Sequence, residues 1–109
     1  MRIYKSHYPA PTLPKTSVFN YLFPDNPADS VLPRHDPDSP AFIDGLTGRI
    51  LTRRELEDSA LRLASGLQAR GLGKGSTVLM IGPNSLDWII GAFGLQAAGV
   101  CASPANTAL

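Results

Sequence analysis

The stretch Thr77-Val78-Leu79-Met80-Ile81, then Gly82-Pro83-Asn84-Ser85, the run from Leu86 to Ala98, Gly99 and Val100-Cys101-Ala102-Ser103 decides the fold of this sequence. Four of its first five residues are large and apolar in succession, the pattern of a strand buried on both faces. Pro83 and Asn84 end that strand, and Ser85 offers a hydroxyl to cap the helix that follows. Asp87 falls in the first turn, where a negative charge complements the helix dipole. From Leu86 to Ala98 the helix is apolar nearly all round, so it is expected to be buried. Gly99 stops it, and residues 100–103 return as a second strand. Strand 77–81, helix 86–98 and strand 100–103 make a βαβ unit; such crossovers are almost always right-handed and build parallel sheets.

Upstream of that unit the chain changes period. Ala41-Phe42-Ile43-Asp44 and Arg49-Ile50-Leu51-Thr52 read as two short strands with Gly45 to Gly48 between them, a hairpin signal. Thr52 is followed three residues later by Glu55, the spacing of a capping box. The helix it opens is expected over 53–70, with Leu56, Ala60, Leu63, Ala64 and Leu67 as its apolar stripe. Arg54, Glu57, Asp58 and Arg62 form the solvated face, and Gly71 suits the position after the helix end. Further upstream, Ser17 caps a short helix over Val18–Phe23, with Val18, Tyr21 and Leu22 sharing one face and Pro24 stopping it. Residues 1–16 are proline-rich and extended, and residues 24–40, with five prolines, read as a surface loop. The expected organisation is therefore an N-terminal segment over 1–40 and an α/β portion over 41–109 composed of a hairpin, an amphipathic helix and a βαβ unit.

Composition narrows the possible functions. With 43% hydrophobic and 17% charged residues the 109-residue chain is globular, not disordered. Ten Lys and Arg against nine Asp and Glu leave no basic patch, so nucleic acid is a poor partner. Trp88 to Leu109 is uncharged, but the helix within it spans only about 20 Å, too short for a bilayer core. No apolar run follows Arg2 as a secretory signal would require. The first 24 residues hold three basic residues and no acid, as transit peptides do, but Pro9, Pro11 and Pro14 would break the amphipathic helix of such a peptide. The lone Cys101 cannot form an internal disulfide, which fits a reducing, intracellular and most simply cytoplasmic setting. Between Val100 and Ala102 it is expected to be an inert core thiol.

No motif reads as chemistry on physical grounds. Gly71-Leu72-Gly73-Lys74-Gly75 suggests a phosphate cradle, but such a loop runs from strand to helix, and here the order is reversed. The Ile81–Ser85 turn has the right direction, with one glycine and no Lys or Arg nearby. Gly91 and Gly94 are expected to mark a close approach of another element. His7 and His35 show no metal-ligand spacing. Asp25, Asp29, Asp36 and Asp38 lie in loop, and Glu55, Glu57 and Asp58 serve the cap and the polar helix face.

The ordered set of local patterns nevertheless resembles a known family. Pro40-Ala41-Phe42-Ile43-Asp44, Thr47-Gly48 and Leu51-Thr52-Arg53-Arg54-Glu55-Leu56 are similar to the hairpin-then-helix opening of adenylate-forming enzymes. Ala64 to Leu67, Gly71 to Gly75, Val78, Pro83-Asn84-Ser85, Trp88, Ala98-Gly99-Val100, Ser103 and Ala105-Asn106-Thr107 continue it in order. Ser17-Val18-Phe19 and Tyr21-Leu22-Phe23 match the start of acyl-CoA synthetases of the 4-coumarate–CoA ligase type. Ser76 departs, standing where an aspartate is more usual. The resemblance implies the opening of the large domain of a ligase that activates a carboxylic acid with ATP and Mg²⁺ and passes the acyl group to coenzyme A. It also implies that the Ser/Thr/Gly-rich phosphate loop, the aromatic-Gly-x-Thr-Glu segment, the ribose-binding aspartate and the C-terminal lysine lie beyond Leu109. No catalytic, cofactor-binding or metal residue is therefore assigned here. The expectation is an incomplete ligase, inactive alone and prone to self-association through exposed apolar surface; the alternative is an interaction module derived from one. A peroxisomal location remains open for a longer parent, although Thr107-Ala108-Leu109 is not the peroxisomal tripeptide.

Overall fold

The computed structural model describes residues 1–26 and 36–107. His35, Asp29 and part of the expected 24–40 loop lie outside the described residues. The element order is α1 (Val18–Leu22), β1 (Pro40–Ile43), β2 (Ile50–Thr52), α2 (Arg53–Ala69), β3 (Thr77–Ile81), α3 (Leu86–Ala97) and β4 (Cys101–Ala105). β1 and β2 pair antiparallel, with a register shift between Pro40 and Phe42; β3 and β4 pair in parallel from Thr77↔Cys101 to Ile81↔Ala105. The expected hairpin, long helix and βαβ unit are all present, and the class is α/β.

Local chemistry sets the boundaries. Asp44 closes the hairpin: its Oδ1 accepts the backbone N–H groups of Leu46 and Thr47, and its own N–H donates to Arg49. Gly48, at φ 75°, takes the left-handed conformation that the turn requires. The bonds from Leu46 and Thr47 hold the Asp44 carboxyl below its ordinary value. A lowered folded-state pKa means that this contribution is present above the ordinary carboxylate range and is lost as pH falls through the lowered value.

The capping box is formed in full. Glu55 N–H donates to Thr52 Oγ1 at 3.2 Å and Thr52 N–H donates to Glu55 Oε2 at 2.9 Å. Thr52→Ala removes one of these acceptors and is expected to cost about 1 kcal/mol. An unchanged denaturation midpoint in Thr52→Ala would contradict this helix start. At the other end Gly71, at φ 81°, lets the N–H of Leu72 reach back to Leu67. Ser76, the residue that departs from the family pattern, accepts the Gly73 N–H on its hydroxyl at 3.1 Å. An aspartate could accept the same bond, so the exchange keeps the turn.

The core forms two clusters. Ala64, Leu95, Ala98 and Val100 join α2, α3 and the entry to β4, with Val78 and Met80 packed against them. Leu51, Leu56 and Leu86 join β2, α2 and α3, with Phe23, Ile90 and Phe93 around them. α3 approaches α2 closely at Gly94. A methyl group there would come within 2.9 Å of Leu63 Cβ and Cγ, whereas at Gly91 it would meet only the mobile end of Met80, at 3.1 Å. These glycines mark close packing, as expected. Gly94→Ala should destabilise by about 1–2 kcal/mol, since overpacking outweighs the gain in helix propensity, and Gly91→Ala should be near neutral. Equal melting temperatures for the two variants would refute the contact.

Four expectations need correction. In α1 the buried residue is Phe19, while Val18 and Tyr21 are exposed. Phe19 packs against Phe23 with tilted rings 5.1 Å apart, and Phe23 meets Phe93 edge-on at 6.1 Å, so the aromatic pair and not the aliphatic face turns inward. β3 is not buried on both faces: Val78 and Met80 point inward, while Leu79 and Ile81 are 60% and 62% exposed. α3 is not buried all round, because only Leu86, Gly94 and Leu95 are fully covered within it. Cys101 is exposed, not a core thiol; it pairs in register with exposed Thr77 on the strand face that no described helix covers. The last three have one cause: among the described residues the helices pack on one side of the parallel pair only, so the other face of the strands stays open.

Candidate functional site

Because β3 and β4 run parallel, their carboxyl ends Ile81 and Ala105 lie side by side, and α3 begins at the same edge. In open α/β sheets this is where ligands collect. Ser85 sets the start of α3, its hydroxyl accepting the Trp88 N–H at 3.1 Å. Between the strand ends and the helix lies an open cavity of about 350 Å³, with Gly82, Asn84, Trp88, Asn106 and Thr107 among its lining residues. A second hollow of about 380 Å³ flanks the same turn on the Leu79 and Asp87 side.

The chemistry available there is limited. Trp88 offers an indole ring packed over Gly82, which a Cβ would meet at 3.4 Å. Asn84, Asn106 and Thr107 offer uncharged donors and acceptors, and among the described residues no Lys, Arg, Asp or Glu lines the first cavity. Asp87 in the first turn of α3 supplies negative charge where an anion would otherwise be drawn. The arrangement suits hydrogen bonding and stacking and provides no acid–base pair. The Ile81–Ser85 turn is visible in the sequence. Asn106 and Thr107 stand beside it only through the parallel register, which no local pattern encodes.

The other candidates stay apart. Gly71 to Gly75 end α2 and turn into β3, with Gly75 at φ 89°. Asp38 forms an exposed ion pair with Arg54 at 3.0 Å, which raises the Arg54 pKa. Burial, then the neighbouring Asp58, raises the Glu57 pKa. Among the described residues no three His, Cys, Asp or Glu side chains gather as a metal would need, and no helix is long and apolar enough to cross a membrane.

Comparison with known proteins places this sheet edge in a family. The chain is 31% identical over 101 residues to 4-coumarate-CoA ligase 1 of Narcissus pseudonarcissus, an alignment covering 84% of this chain and 18% of that protein. It is 34% identical over 108 residues to 4-coumarate–CoA ligase-like 3 of Oryza sativa subsp. japonica, covering 95% and 17%. The chain thus spans less than a fifth of the length of these relatives. Among solved structures, the Klebsiella oxytoca NpsA N-terminal subdomain superposes with a TM-score of 0.55 at 30% identity, covering 59% of this chain and 17% of that one. A Mycobacterium tuberculosis fatty acyl CoA synthetase superposes with a TM-score of 0.51 at 34% identity, covering 58% and 12%. The family described as AMP-binding enzyme matches residues 31–109, nearly all of the folded part, and the hairpin, capped helix and βαβ unit described above are therefore those of a member of the AMP-binding enzyme family.

Proposed function

We propose that these residues are the opening scaffold of an acyl-CoA synthetase of the 4-coumarate–CoA ligase type, inactive by themselves. The parent reaction would activate a carboxylic acid with ATP to an acyl-adenylate and then form the coenzyme A thioester. Residues 1–40 would be its N-terminal segment and 41–109 the start of its adenylation domain, working in a reducing compartment such as the cytoplasm. The observation that carries this reading is the similarity to ligases several times longer, combined with the donor set at the sheet edge. Carboxamides, a lone hydroxyl and an indole do not fit a triphosphate with Mg²⁺, which calls for cationic groups on the phosphates and carboxylate ligands on the metal. No step of the reaction is assigned to this chain's side chains.

The test is a replacement experiment. Residues 1–109 are substituted for the aligned opening of a plant 4-coumarate–CoA ligase, and thioester formation is followed beside residues 1–109 alone. The chimera should form thioester and the isolated chain should not. Thioester formed by the isolated chain, or a folded chimera without activity, would overturn the proposal.

A further inference from the structure

The arm formed by residues 1–16 is exposed at every position, and neither the hairpin nor the βαβ unit accounts for its composition. Arg2, Lys5 and Lys15 lie in it, and no acid occurs before Asp25; the rest of the chain holds the remaining seven of ten basic residues and all nine acids. Among these cations stand Ile3, Tyr4, Tyr8 and Leu13, all strongly exposed, with Tyr8 at 83%. Pro9, Pro11 and Pro14 keep the arm from burying these side chains against one another as a helix would.

We infer that residues 1–16 bind the surface of an anionic phospholipid bilayer, with Arg2, Lys5 and Lys15 at the headgroups and Tyr4, Tyr8, Ile3 and Leu13 in the interface. Exposed apolar side chains and cationic charge occur together, and interfacial binding strengthens with both. Each basic residue near an anionic surface contributes roughly fivefold to partitioning, so three give roughly a hundredfold preference for anionic over zwitterionic lipid. Tyrosine carries an apolar body and a polar tip suited to the headgroup boundary. A nucleic acid would use the three cations only, too few for tight binding at physiological salt, and would leave Ile3 and Leu13 in water. The inference does not depend on the ligase reading.

The experiment is vesicle co-sedimentation of the full 109-residue chain, with a vesicle-free control to subtract self-association. Vesicles of equal parts phosphatidylcholine and phosphatidylserine should bind roughly a hundredfold more tightly than pure phosphatidylcholine. Arg2→Gln/Lys5→Gln/Lys15→Gln should abolish that preference, and Tyr4→Ser/Tyr8→Ser should weaken binding several-fold. Leu79→Thr/Ile81→Thr, on the open strand face, should leave it unchanged. The arm variants alter only exposed positions, so folding is not at stake in them. Equal binding to both vesicles would overturn the proposal. So would binding that survives neutralisation of the arm but is lost with Leu79→Thr/Ile81→Thr. Tighter capture by heparin than by anionic vesicles, indifferent to the tyrosine substitutions, would instead make the arm a general polyanion binder and refute the lipid assignment.

Discussion

Leu56→Ala should destabilise the fold by about 2–5 kcal/mol, a large share of the stability of any small domain. Leu56 is 2% exposed and sits in the cluster that joins α2 to β2 through Leu51 and to α3 through Leu86. Three elements converge on it, so the space left by the lost methyl groups cannot be refilled by moving one of them. Leu61 lies on the same helix but is 47% exposed, and Leu61→Ala should stay within about 0.5 kcal/mol. Denaturant midpoints of the two variants measure the contrast. A Leu56→Ala midpoint as close to the parent's as that of Leu61→Ala would mean that the second cluster is not a core.

The isolated 109-residue chain should self-associate and bind an apolar dye, and Leu79→Thr/Ile81→Thr should reverse both. The outward face of β3 presents Leu79 and Ile81 to solvent, and β4 beside it carries no charge. Monomers rarely tolerate contiguous apolar patches beyond a few hundred Å². The unpaired edges of the parallel pair add a second route to association. Because both positions are already exposed, the substitutions should change stability by no more than about 0.5 kcal/mol while reducing association. Light scattering and dye fluorescence read the two effects. A monodisperse parent chain without dye binding would sink the prediction and strengthen the reading of an independent interaction module.

What could be read from the sequence divides along the range of the interactions. The start of α2 is fixed by Thr52 and Glu55, three residues apart, and its end by the backbone freedom of Gly71; both signals are local and both were legible. The close approach at Gly94 was legible in kind, because a glycine inside an apolar helix makes room for something, but not that Leu63 fills it. The exposure of Leu79, Ile81 and Cys101 was not legible, since an apolar strand reads the same whether one or two layers cover it. Nor was the choice of Phe19 in α1, because Val18-Phe19 and Tyr21-Leu22-Phe23 leave an apolar residue on every side of the helix. At the sheet edge the turn was visible from Gly82-Pro83-Asn84-Ser85, while Asn106 and Thr107 reach it only through pairing with a strand far away in sequence.

That distance also orders events in time. The hairpin pairs Ile43 with Ile50, seven residues apart, whereas the parallel pair joins Thr77 to Cys101, twenty-four apart. Closing the longer loop costs about 1 kcal/mol more in chain entropy before any contact repays it. Hairpin and α2 can therefore form from their own neighbours as soon as they leave the ribosome, while the apolar β3 must wait for β4 to be synthesised. The nascent chain thus passes through an interval in which Val78, Leu79, Met80 and Ile81 have no strand partner, and the length of α3 sets how long that interval lasts.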